Sequence, residues 1–147
     1  MQETVDPDFA SFVDARQGRW LRTAYLVYGD LERAEAALLH AFSQLSLCWD
    51  RVDDPDVYVQ RLLYQPVLRP WNRIKPFQDD EDQVRLALAN LTAAQRTVFV
   101  LLHLEELTEF EVSDLLGMSQ SAVHAHGLSA FGRFREALGA TDWRDAR

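Results

Sequence analysis

Lysine is nearly absent from this chain: Lys75 is the only one among 147 residues, and the net charge is −8. Phosphate contacts are made mainly by Lys and Arg, so a uniformly basic nucleic-acid-binding surface is excluded, although a local basic patch is not. Cysteine is scarce too. With Cys48 alone, no internal disulfide can form, which fits a reducing compartment. No apolar run approaches the ~20 residues needed to span a bilayer. The acidic stretch from Met1 to Phe9 lacks the basic and apolar regions of a signal peptide. A cytoplasmic location with no membrane partner is the resulting expectation.

Catalytic signatures are missing as well. There is no Gly-rich phosphate loop and no nucleophile motif. The acidic pairs Asp79-Asp80 and Glu105-Glu106 are adjacent in sequence rather than convergent. His124 and His126 are two residues apart, so on a helix they diverge, and His40, His103 and Cys48 have no ligand spacing. Neither enzymatic activity, nor a cofactor, a metal or a small-molecule substrate is expected.

What the chain does contain is apolar residues at helical spacing, 48% of the total, including eight Phe, four Trp and four Tyr. Six Gly and five Pro leave room for long helices. Asp8 is a candidate cap for a first helix carrying Phe9, Phe12, Val13, Trp20, Leu21, Ala24 and Tyr25, which stops near Gly29. Asp30 can cap a second, with Leu31, Ala34, Leu38, Ala41, Phe42 and Leu45 on one side, running to about Trp49. Asp54-Pro55 reads as cap and first residue of a third helix, which Pro66 and Pro70 interrupt. Trp20 and Trp49 fall among apolar neighbours and read as core. Trp71, between Pro70 and Arg73, is equally compatible with packing and with base stacking, and Trp143 reads as peripheral. The acidic run 79–82 reads as solvated loop, and a linker is expected over 75–83, dividing the chain into helical domains at 1–74 and 84–147.

The second block is punctuated by two capping boxes, Thr92-Ala93-Ala94-Gln95 and Thr108-Glu109-Phe110-Glu111. After Thr108 comes a short helix with Val112, Leu115 and Leu116, then Gly117, Met118 and Ser119 as cap of a further helix. Two helices joined by a short turn containing Gly form a helix-turn-helix pattern, and a plain helical hairpin has the same spacing. Val123 and Leu128 are expected to pack the second helix on the first. In a helix-turn-helix the second helix meets base edges through its N-terminal residues, here Ser119, Gln120, Ser121, His124 and His126. Gln pairs with adenine in a bidentate manner and Ser contacts several bases. The two histidines read either as a pH-sensitive DNA contact or as an exposed pair without a role.

In order and spacing these segments resemble the extracytoplasmic-function (ECF) sigma factors of the sigma-70 family, especially the short actinobacterial kind. The resemblance runs from about Phe12 to Leu138. It is carried by Leu21-Arg22-Thr23-Ala24-Tyr25-Leu26, Gly29-Asp30, Ala34-Glu35, Trp49-Asp50-Arg51-Val52 and Asp54-Pro55 through Arg61. In the second block it continues with Leu91, Gln95-Arg96, Glu105 through Glu109, Glu111-Val112, and Leu116-Gly117-Met118-Ser119 with Val123. The resemblance implies an all-α protein of two small helical bundles. The first would bind the β′ clamp of RNA polymerase core and melt the promoter −10 element. The second would read the −35 element through the helix-turn-helix.

The chain departs from the family's pattern at the working positions. Ala36-Ala37-Leu38-Leu39 replaces an acidic and polar stretch that contacts polymerase, which makes Ala36, Leu38 and Leu39 candidates for another protein contact. Around Gln65 to Arg73 two prolines interrupt an aromatic, arginine-rich run, leaving Trp71 and Arg73 as −10 candidates. Ala122-Val123-His124-Ala125-His126 keeps the buried Val but loses a hydroxyl and two cations, and the first Arg after the turn is Arg133. Imidazole is mostly neutral near pH 7, so charge-assisted phosphate contacts are depleted. Tethering to polymerase compensates weak DNA contacts by raising effective concentration. Two functions therefore stand side by side: a promoter-directing sigma factor, and a sigma-like regulator that binds an anti-sigma factor or another transcription factor.

Overall fold

The structure is a computed structural model that describes residues 5–69 and 82–139. Its described residues form seven α-helices and no strand, in agreement with the all-α expectation. The first helix, α1, spans Pro7–Tyr28 and is capped by Asp6, not Asp8. Pro7 takes the first helical position, where its missing N–H costs nothing, and the N–H of Asp8 donates to Asp6 Oδ1 at 2.8 Å. Gly29 ends α1 at φ 77°, with its N–H donating to the Tyr25 carbonyl. Asp30 then caps α2, Leu31–Cys48, which buries Ala34, Leu38, Ala41, Phe42 and Leu45 but leaves Leu31 exposed.

A 3₁₀ turn at Trp49–Arg51 leads to α3, Pro55–Tyr64, capped by Asp54. Pro66 converts the end of α3 into a 3₁₀ turn over Gln65–Leu68, because it lacks the donor that another α-turn needs. Pro70, Trp71, Arg73 and the acidic run up to Glu81 lie outside the described residues. Asp82 accepts from the N–H groups of Val84 and Arg85 and caps α4, Gln83–Ala89, so the helix opens within the segment expected as linker. Helices α5, Ala93–His103, and α6, Glu109–Leu116, each begin with the expected capping box. Gly117, at φ 70°, turns the chain into α7, Gln120–Gly139.

Around α1 and α2 the core is aromatic. Trp20 stacks on Phe42 with ring centroids 6.0 Å apart, Phe12 packs edge-on to both, and Phe9 meets Trp49 at 5.5 Å. Trp20 and Trp49 are thus packing residues, as expected from their neighbours. Around α5 to α7 the core is mainly aliphatic, with Val98, Leu101, Val112 and Val123 fully buried, and Phe99 packs on Phe134 with ring centroids 4.6 Å apart. The two sets merge into one hydrophobic cluster.

Polar contacts cross the seam between them. Arg96 on α5 is buried and donates to the Val27 carbonyl at 3.1 Å, satisfying a carbonyl in the last turn of α1, and to the Leu88 carbonyl at 3.1 Å. Burial lowers its pKa to about 10. Glu105, whose side chain is 3% exposed, accepts from the Thr23 hydroxyl at 2.7 Å and pairs with Arg19 at 3.5 Å. Arg61 meets Asp114 at 3.0 Å, and the Gln65 amide donates to the Leu115 carbonyl at 2.9 Å.

Candidate nucleic-acid interface

The helix-turn-helix is built from short-range signals. Thr108 and Glu111 exchange hydrogen bonds that fix the start of α6, at 3.0 Å each. At its other end Gly117 and Met118 donate to the Ser113 carbonyl, and the Ser113 hydroxyl donates to the Met118 carbonyl at 2.6 Å, closing the turn from both sides. Ser119 Oγ accepts from the Ala122 N–H at 3.1 Å, which is the expected N-cap. Val123 is fully buried against this arrangement.

Gln120, Ser121 and His124 share the exposed surface of the first turns of α7. His126 is half-buried, 200° around the helix from His124 at ~100° per residue. Arg133 is thirteen residues beyond Gln120, about 20 Å along the axis, and donates to Gln95 Oε1 at 3.3 Å. The structure therefore brings Ser119, Gln120, Ser121 and His124 together, and sets Arg133 apart beside α5. Trp71 and Arg73 lie outside the described residues.

Two side chains differ from expectation. Leu128 is 63% exposed instead of packing α7 on α6. The face of α7 turned inward runs through Val123, Gly127, Ala130 and Phe134, and Leu128 is five residues, about 140°, away from Val123. Gly127 marks the closest approach: a Cβ there would stand 3.2 Å from Leu102 Cδ1. Gly132, by contrast, has nothing within 4 Å of its Cβ position. Leu38, expected on a partner-binding surface with Ala36 and Leu39, is only 5% exposed, because it lies on the core-facing row with Ala34, Ala41 and Leu45. Ala36 and Leu39 are exposed, Leu39 at 59%. Leu38 instead forms part of the wall of a cavity of about 590 Å³ between α1 and α2, with Phe9, Val13, Leu21, Leu39 and Phe42.

One contact had no sequence signal. His124 Nδ1 is 2.8 Å from Glu109 Oε2, so the first helix of the motif holds a base-reading candidate of the second. The pairing spans fifteen residues and depends on how α6 crosses α7, which spacing alone does not report. Farther along α7, Leu128 and Phe131 continue the exposed row of His124, and Phe131 touches the His103 ring at 6.3 Å. The row is apolar where a phosphate-binding helix is cationic. Among the described residues no three metal-ligating side chains gather, and no helix is long and apolar enough to cross a membrane.

This geometry coincides with a known family segment. Residues 81–127 match the family described as sigma-70, region 4. The helix-turn-helix is thus similar to sigma-70 region 4. Beyond that segment, the chain is 29% identical over 161 residues to an RNA polymerase sigma-E factor of Streptomyces coelicolor, a match covering 95% of this chain and 90% of the relative. Together these findings support the resemblance to ECF sigma factors along nearly the whole chain, and with it a sigma-factor-like role in transcription regulation. The segments that carry the likeness include the capping boxes and the Gly117 turn of this sigma-like motif. No Lys or Arg occurs from Met118 to Gly132.

Proposed function

We propose that the chain directs RNA polymerase to promoters as an ECF-type sigma factor. The helix-turn-helix would lie at the −35 element and the segment after α3, with Trp71 and Arg73, at the −10 element. The observation that carries this reading is the exposed cluster of Gln120, Ser121 and His124 at the start of α7, on a scaffold whose caps and turn are all intact. Gln120 offers a bidentate amide to adenine, and Ser121 a hydroxyl that either donates or accepts. Phosphate attraction is weak on this helix, so binding depends on tethering to polymerase, with exposed Ala36 and Leu39 on the clamp-facing side of α2.

Purified polymerase core plus this chain, assayed for promoter-specific transcripts on genomic fragments, tests the proposal. Discrete initiation sites are expected, lost on Gln120→Ala combined with Ser121→Ala and kept on Arg133→Ala. Absence of transcripts, together with failure of core polymerase to retain the chain, would reject it.

A second reading is favoured by the absence of Lys and Arg from the part of α7 before Arg133 and by the exposed Leu128 and Phe131. On this reading the chain no longer binds promoters itself and regulates by binding a protein such as an anti-sigma factor or another transcription factor. Tight binding of such a protein, with no DNA retardation at low salt, would favour it. Both readings place the chain outside enzymology.

A further inference from the structure

Glu109 opens α6 and His124 stands in the second turn of α7, and they meet at 2.8 Å between Oε2 and Nδ1. Both helix starts are pinned, α6 by the Thr108–Glu111 exchange and α7 by Ser119 and the Gly117 turn. The two side chains are therefore presented by backbone with little freedom. They are 59% and 45% exposed, His124 first, so an ion pair here contributes little to stability. What the contact does determine is the direction of a hydrogen bond.

An ionised carboxylate only accepts, so the hydrogen between Oε2 and Nδ1 belongs to the ring. A neutral imidazole carries one such proton, which leaves Nε2 bare and able only to accept. Nε2 has no hydrogen-bond partner among the described residues, and His124 shares its exposed face with Gln120 and Ser121. In the major groove adenine and cytosine present an amino donor, whereas guanine and thymine present only acceptors.

We infer that Glu109 is a positioning residue that fixes His124 as a hydrogen-bond acceptor, so that α7 selects adenine or cytosine at the base His124 faces. The inference rests on the promoter-directing reading, since only a chain placed on DNA can use this polarity. A Lys or Arg side chain at that place would donate to guanine; the Glu109–His124 pair offers the opposite half of the bond. Gln120 locates the base: it precedes His124 by one turn, about 6 Å along the axis, or roughly two base steps of ~3.4 Å. Glu109 is also an anion near the phosphates, so the same residue sharpens base choice and weakens overall affinity.

Two measurements on the full chain test this, both at about pH 8, where imidazole is neutral. The first is nitrogen-15 NMR of the histidine rings, with the His124 signals assigned through His124→Ala. The wild-type ring should carry its proton on Nδ1. In Glu109→Lys the proton should move to Nε2, because an ammonium only donates and makes Nδ1 the acceptor. The second is transcription by core polymerase from a promoter library randomised over the −35 element. The wild type should favour adenine or cytosine about three- to tenfold at one position, roughly two steps from the adenine that Gln120 reads. Replacing the favoured base by its analogue without the amino group should remove that gain. His124→Ala should flatten the position, and Glu109→Lys should turn it toward guanine. Glu109→Ala should flatten it while raising affinity for unrelated duplex, a split that loss of structure would not produce. On the His124→Ala background, Glu109→Lys should leave base choice unaltered.

A wild-type ring protonated on Nε2, or on both nitrogens, overturns the inference whatever the library shows. So does a base preference that Glu109→Lys leaves unchanged, or one that it alters equally when His124 is absent. A ring polarised as expected, in a chain that starts no transcript with core polymerase, overturns the promoter-directing reading and takes the base choice with it.

Discussion

The N-terminal and C-terminal halves solve the same packing problem with different materials. Helices α1 and α2 are 22 and 18 residues long and are held by large rings, with Trp20 lying flat on Phe42 and Phe12 against both. Helices α4, α5 and α6 are 7, 11 and 8 residues long and pack mainly Val and Leu side chains, with Phe99 as their buried ring. Helices that short are marginal by themselves, so their ends matter more. Accordingly α5 and α6 carry complete capping boxes, whereas α1 and α2 start on single aspartate caps. The first half derives its order from bulk, the second from termini.

The comparison breaks most sharply at Trp20. Trp20→Ala should cost about 3–5 kcal/mol, measured by denaturant unfolding, and no aliphatic residue of the second half should cost more. Gly117→Val comes next. A β-branched residue at φ 70° should lose about 1–2 kcal/mol, although no neighbour lies within 4 Å of the new Cβ, so the loss would be conformational and not steric. Thr108→Ala, which removes one arm of a capping box, should cost about 1 kcal/mol. Leu128→Ser sharpens the contrast at the small end. It should change stability by less than about 0.5 kcal/mol, since the side chain is exposed.

Alkaline titration separates the halves in another way. Burial raises the pKa of Tyr28 and lifts that of Tyr64 well above the ordinary value of 10.0, so the unfolded chain releases those protons first. Stability from these groups is complete below pH 10 and declines as pH rises above it. Arg96, lowered to about 10 by burial, acts in the opposite sense over the same range. Tyr64→Phe should remove the tyrosine part of the decline, read as a smaller loss of melting temperature between pH 9 and 11 (values of roughly one unit either side of the unfolded pKa).

Most of the scaffold was legible because it is written locally. Asp30, Asp54-Pro55, Thr92-Gln95, Thr108-Glu111 and Gly117 each signal a helix end within four residues, and each is used as expected. Asp8 misled because Asp6-Pro7 offers a better start two residues earlier. The surface was less legible. Whether Leu38 or Leu39 faces outward depends on one residue of helical phase, and Leu128, apolar but five residues from Val123, falls on the outer side of the helix. The Glu109–His124 pair and the Glu105–Thr23 contact join residues far apart in sequence, so only the packing of whole helices brings them together. The base-reading candidates are named by position in the motif, not by chemistry, since no Lys or Arg stands in the first turns of α7.

The glycines of α7 extend this picture to the time domain. Gly127 and Gly132 each cost about 1 kcal/mol of intrinsic helicity relative to alanine. At Gly127 close approach to Leu102 gives the absence of a Cβ a purpose; at Gly132 nothing does. The recognition end of α7 is fastened by Ser119, Val123 and the Gly117 turn, whereas the far end has weak local preference and relies on contact with α4 and α5. Amide protons beyond Gly132 should therefore exchange with solvent through local fraying well before those near Val123, so α7 is a firm head on a yielding stem.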